Sequence, residues 1–130
     1  MGNTKETGQL GEDVACRFLK ERGYSNKERN YLKKWGEIDI VVERKGKLHF
    51  VEVKAVSRES SDSDGSRETD KYRPEENVHP QKLKRLSRSI QTYLLDRRLD
   101  GRDWQFDVVT VKLDTVRKEA RVKLISDVIL

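Results

Sequence analysis

A single cysteine, Cys16, in a chain of 130 residues leaves no internal disulfide to form. With only two histidines beside it, no His/Cys zinc cluster of ordinary spacing can be assembled either. Long apolar runs are also missing: nothing approaches the ~18 consecutive apolar residues of a membrane span, and the opening Met1 to Lys5 is polar, unlike a secretory leader. The expectation is a cytosolic, cytoplasmic protein with no membrane partner. Only 34% of residues are hydrophobic while 39% are charged, so the apolar side chains must be gathered into a few segments if a core is to form. The length suits one domain over residues 1–130, with a modest core of four or five strands between helices.

What the chain has in abundance is charge. Lysine and arginine number 28 against 23 acidic residues, a formal net charge of +5 that favours a polyanionic partner. A merely well-solvated surface would carry the same composition, so local arrangement has to decide.

From about Thr7 to Arg22, Leu10, Val14, Phe18 and Leu19 recur at helical spacing, with Gly23 placed to end the helix. On the helical wheel Gly8, Gly11 and Ala15 form a small-residue strip that permits close approach to another backbone, and Glu12 lies at its edge. A polar connection through Asn30 follows. The segments Gly36 to Glu43 and Lys47 to Ala55 are rich in Val and Ile and flank Lys45–Gly46, which predicts a β-hairpin. Apolar residues occupy both parities, as in central strands covered on both sides.

Ser57 to Asn77 is dominated by Ser, Asp, Glu and Arg and reads as a mobile loop at about 57–77. Pro80 suits the first turn of a helix running to about Arg98, with Leu83, Leu86, Ile90, Tyr93 and Leu94 on one face. Lys82, Lys84, Arg85 and Arg88 occupy the remainder, a basic face suited either to phosphate contact or to plain solvation. Trp104 to Leu113 alternates enough for a strand, and Ala120 to Ile129 adds a final strand or short terminal element.

The candidate chemistry lies in the hairpin, where acids and a lysine interrupt strands that ought to be apolar. A turn at Lys45–Gly46 pairs Arg44 with Lys47 and, by extension, Asp39 with Glu52 on one face, with about 4.5–5.5 Å between Cβ atoms. Two such carboxylates repel in a low-dielectric sheet, and a divalent cation between them relieves the cost. Oxygen donors with open water positions suit Mg²⁺ or Mn²⁺ rather than zinc. Lys54, two residues beyond Glu52 and so on the same face, is within reach of a phosphate held there. The alternative is an exposed sheet face on which Lys54 pairs with Glu37 across the hairpin.

Taken together, G-E-D-V-A at Gly11 to Ala15, R-N at Arg29 and Asn30, G-E-I-D-I-V at Gly36 to Val41, F-V-E-V-K at Phe50 to Lys54, N-V-H-P-Q-K-L-K-R-L at Asn77 to Leu86 and F-D-V-V at Phe106 to Val109 resemble the bacterial YraN-like family over nearly the whole chain. That family belongs to the restriction-endonuclease-like superfamily and is similar to archaeal Holliday-junction resolvases. The resemblance implies an α/β fold, a three-layer α/β/α core with a central mixed β-sheet, and a D-x(n)-E-x-K nuclease site. Carried onto this chain, Asp39 and Glu52 would bind metal, with the Val53 carbonyl a further ligand. Glu12 would assist directly or through water, Lys54 would position the attacking water or steady phosphate charge, and Glu37 would support from outside the ligand set. Members often carry an arginine two residues after the E-x-K lysine, but Val56 stands there and the nearest arginine is Arg58.

The function expected is divalent-metal-dependent endonucleolytic cleavage of DNA, in branched or damaged substrates, with Arg58, Lys82, Lys84, Arg85 and Arg88 contacting the nucleic acid and a homodimer as a further expectation. The alternatives are a nucleic-acid-binding module of the same fold that does not cut, and a scaffold whose acids form surface ion pairs. Asp107, His49, His79, Trp35 and Trp104 read as structural.

Overall fold

The computed structural model describes residues 4–58 and 80–130, with side chains from 6 to 57 and from 80 to 130. In chain order these form α1 (Thr4–Glu21), β1 (Ser25–Lys33), β2 (Gly36–Arg44), β3 (Lys47–Arg58), α2 (Pro80–Asp96), β4 (Trp104–Asp114) and β5 (Glu119–Ile125). The five strands make one mixed sheet in the order β1-β2-β3-β4-β5, with β3 and β4 parallel and the other neighbours antiparallel.

Both hairpin strands carry apolar side chains at both parities because both faces of the sheet are covered. Leu48 and Phe50 of β3 join Leu86, Ile90, Tyr93 and Leu94 of α2 in one core cluster, where Phe50 is fully buried and meets Tyr93 and Trp104 edge to face. Val51 of β3 and Ile40 and Val42 of β2 join Ala15 and Leu19 of α1 in the other. The result is the α/β/α layering of a restriction-endonuclease-like core. Among the described residues no helix is long and apolar enough to cross a membrane.

Gly23 ends α1 at φ +89°, with Gly23 N–H donating to the Lys20 carbonyl and Tyr24 N–H to the Leu19 carbonyl. Of the two glycines in the small-residue strip, Gly11 is the one pressed on the sheet: a Cβ built there would lie 2.4 Å from the Ala55 Cβ, whereas one at Gly8 would meet nothing within 4 Å. The β2–β3 turn has positive φ at Lys45 (51°) and Gly46 (77°), matching a two-residue hairpin, and it pairs Arg44 with Lys47 as expected.

Three expectations are revised. The polar connection through Asn30 is part of strand β1, whose sparse apolar side chains hide it from pattern reading while backbone pairing with β2 holds it at the sheet edge. β3 continues beyond Ala55 to Arg58 because its parallel ladder with β4 runs to Arg58↔Asp114, so Ser57 and Arg58 are strand, not loop. The remainder of the loop expected over Ser57 to Asn77, from residue 59 onward, lies outside the described residues. At the far end β5 stops at Ile125, and the residues after it are held by Val128 N–H donating to the Phe106 carbonyl.

Candidate active site

The hairpin register holds from Arg44↔Lys47 to Ile40↔Val51 and stops one pair short of Asp39 and Glu52. Below that point Ile38, Glu37 and Gly36 of β2 stay with β1, while Glu52 and the rest of β3 stay with β4. The two acids therefore stand at the fork where the strands part, rather than across a flat ladder. Asp39 uses the opening: its Oδ2 accepts a hydrogen bond from the Val53 backbone N–H at 2.8 Å.

Burial pushes the Asp39 carboxyl up to about 7, against the Val53 N–H that stabilises its ionised form, and the neighbouring Glu12, Glu52 and Glu37 charges add to the rise. Asp39 thus feels an acid from α1 together with acids from both hairpin strands. Glu52 is almost fully buried, and its Oε2 lies 3.0 Å from the Lys54 ammonium and 3.0 Å from that of Lys82, delivered by the first turn of α2. Glu12 is tied elsewhere: its Oε1 accepts from Asn30 Nδ2 at 3.0 Å and Arg29 Nη2 at 3.3 Å. Asn30 also donates to Glu37 Oε2 at 3.2 Å, linking the α1 acid to the β2 acid.

A backbone device makes this possible. Asn30 has φ +54°, and across it the side chains change layers: Arg29 reaches Glu12 and Asp13 of α1, whereas Tyr31 packs edge to face on Tyr93 of α2. Asparagine tolerates the left-handed conformation better than most residues. Asn30→Ala is expected to cost about 1–2 kcal/mol in chemical denaturation. Asn30→Gly should recover most of that stability without restoring the side-chain links to Glu12 and Glu37; equal losses in both variants would show that the conformation is not the cause.

The structure thus brings Asp39, Glu52, Lys54 and Glu12 to one region, with Val53 between Glu52 and Lys54 on β3. Lys82 enters the site, whereas Arg88 stacks over the Trp35 ring at 3.8 Å and Lys84 and Arg85 are exposed. The side chain of Arg58 and all of His79 lie outside the described residues. Sequence reasoning assigned no role to Asn30 or Arg29 as anchors of Glu12, although the R-N pair is among the motifs that carry the family resemblance. His49 and Asp107, read from the sequence as structural, meet each other: His49 Nδ1 lies 2.7 Å from Asp107 Oδ2, and Asp107 Oδ1 accepts from Gln105 Nε2 and the Asp127 N–H, pinning the segment after β5.

Among the described residues no three of His, Cys, Asp and Glu converge into a ready-made metal cage. The donors still fit a hard divalent ion of the Mg²⁺ kind, which commonly binds through one or two carboxylates and keeps several waters. Asp39, partly buried and surrounded by acids, is a group whose ionisation such an ion would favour.

The mixed sheet between helices is an α/β fold consistent with a restriction-endonuclease-like core, and Asp39 and the E-x-K strand stand at its fork. The chain belongs to a family described as Uncharacterised protein family UPF0102, whose model matches residues 11–111. It is 39% identical over 128 residues to a UPF0102 protein of Syntrophus aciditrophicus, covering 98% of this chain and 91% of that relative. A UPF0102 protein of Moorella thermoacetica is 39% identical over 122 residues, covering 94% and 93%. One from Campylobacter jejuni is 34% identical over 110 residues, covering 85% and 87%.

Proposed function

We propose that this protein is a divalent-metal-dependent endonuclease of the cytosol that hydrolyses phosphodiester bonds in DNA, with branched or damaged molecules as substrates. The observation that carries the reading is the fork itself, where partly buried Asp39 lies in the field of Glu12, Glu37 and Glu52 while Lys54 and Lys82 bracket Glu52. Structural ion pairing alone gives a chain no reason to concentrate acids around a carboxyl that burial already disfavours.

Asp39 and Glu52, with the Val53 carbonyl, would hold Mg²⁺ or Mn²⁺, which supplies Lewis-acid stabilisation of phosphate charge and eases deprotonation of water. Lys54, on the same strand as Glu52, steadies the charge that develops on the phosphate oxygens. Glu12, held through Arg29 and Asn30, orients water at the α1 side of the fork. Lys82 leaves Glu52 for a phosphate when nucleic acid arrives, and Lys84, Arg85 and Arg88 follow along α2. Cutting both strands of a junction would call for a two-fold dimer.

One observation favours a second reading, a binding module that does not cut: Glu52 already has two ammonium partners and needs no metal for charge balance. The deciding experiment offers linear, single-stranded, flapped and four-way DNA, and RNA, to the protein with Mg²⁺ or Mn²⁺. Cleavage that disappears in Glu52→Gln supports the enzyme, since a neutral amide is a poor ligand for a hard ion. Lys54→Met should still bind metal but turn over on the order of 10²- to 10³-fold more slowly. Binding without cleavage on every substrate would establish the second reading instead.

A further inference from the structure

Beside the fork, the β1–β2 turn and the N-terminal half of α2 enclose a cleft of about 400 Å³ that reaches Glu52 and Lys82. This size falls within the range of pockets that take one small-molecule-sized group, and it is too small for a duplex. Its walls include Lys34, Trp35 and Arg85. Trp35 is fixed in place: the Arg88 guanidinium stacks over its ring at 3.8 Å, and the adjoining Gly36 is pressed on α2, where an added Cβ would lie 3.1 Å from Ser89 Oγ.

The cations of this cleft divide into two groups. Lys82 is engaged by Glu52 and Lys33 by Asp96, but Lys34 and Arg85 have no acidic partner among the described residues. An aromatic ring held by its neighbours, two cations with no acidic partner among the described residues and an opening onto the proposed cleavage site form a combination that selects for a planar base carrying phosphate. Paired bases within a duplex keep their faces stacked on one another and offer such a ring nothing, whereas an unpaired base stacks on it regardless of sequence.

We propose that this cleft is a subsite for one unpaired nucleotide next to the scissile phosphate. The base rests on Trp35, its phosphate lies between Lys34 and Arg85, and the substrate class is nucleic acid with single-stranded character at the cut: a flap, a frayed end or a gap. The proposal rests on the nuclease reading for what happens at Glu52, but nucleotide capture itself requires no metal.

The test is therefore binding in the presence of a chelator. The protein contains two tryptophans, so Trp104→Phe leaves Trp35 as its only indole. A short oligo(dT) strand is expected to quench this fluorescence, and a blunt duplex to leave it nearly unchanged. Trp35→Ala should weaken oligo(dT) binding roughly 5- to 150-fold, the span of a single lost base stack, with little effect on duplex binding. Trp35→Phe should retain most of the affinity, which separates stacking from damage to the turn. Equal weakening toward both ligands, or no weakening, overturns the subsite. A wild-type protein that cuts nothing yet shows the Trp35-dependent preference removes the nuclease reading and leaves the subsite standing; cleavage without the preference does the reverse.

Discussion

Asp39→Asn is expected to lower metal-dependent cleavage by on the order of 10³-fold while stabilising the metal-free protein at neutral and alkaline pH. The two effects have one cause. In the folded chain burial, reinforced by Glu12, Glu52 and Glu37, raises the Asp39 carboxyl from 3.8 to about 7. The folded state then binds a proton that the unfolded chain has released over that interval, so stability associated with Asp39 is fully present below pH 3.8 and is lost as pH rises through about 7. With each unit worth about 1.4 kcal/mol, a rise from 3.8 to about 7 sets the loss at no more than roughly 4–5 kcal/mol. Asparagine carries no charge at any of these pH values and escapes it. Urea denaturation from pH 4 to 9 should show the variant gaining on wild type as pH rises and holding a constant lead above about 7; a difference independent of pH would mean that the carboxyl is not perturbed. Metal binding follows the same titration. Mn²⁺ affinity of the wild type should climb with pH up to about 7, where Asp39 no longer has a proton to surrender, and then level off.

Gly11→Ala is expected to destabilise the protein although alanine is the better helix former by about 1 kcal/mol. The new methyl carbon would start 2.4 Å from the Ala55 Cβ, a separation that no bonded rearrangement of two methyl groups relieves, so α1 has to lift from β3. Overpacking of this kind costs about 1–3 kcal/mol. It also carries away Glu12, the next residue of α1, and with it the contacts to Arg29 and Asn30. The decisive comparison is the exchange Gly11→Ala with Ala55→Gly, which removes the colliding atom; the next neighbours, Ala55 Cα at 3.7 Å and Val53 Cγ1 at 3.9 Å, are at ordinary contact distance. Denaturation should show most of the lost stability restored in the exchange variant. If the exchange is as unstable as Gly11→Ala alone, close approach of α1 is not the reason for glycine at this position.

Gly11 also shows why part of the site is legible in the sequence. A helix periodicity places Gly11, Glu12 and Ala15 together, and tight packing of small residues is a local property that sequence spacing conveys. The grouping of Asp39, Glu52 and Lys54 follows from a two-residue turn, because turn length alone dictates which residues of a hairpin face each other near it. That inference weakens with distance from the turn. Register extrapolated to Asp39 and Glu52 assumes two strands that stay paired, but each has a second neighbour, and beyond Ile40↔Val51 those outer partners draw them apart.

By itself the sequence determined both helices, the central hairpin and its turn register, and the set of acids and lysine in that hairpin, since each depends on periodicity or turn chemistry within a short stretch, while the α/β class came with the family resemblance. Only the tertiary structure decided that Ser25–Lys33 is a strand, because an edge strand this polar is held by backbone bonds to β2 and not by any pattern of its side chains. It alone decided where the hairpin forks, that Asn30 turns through a left-handed conformation to tie Glu12 to Glu37, and that Lys82 meets Glu52 across 30 residues of chain. These are contacts between segments remote in sequence. Their partners are selected by which layers pack together, and no local spacing encodes that choice.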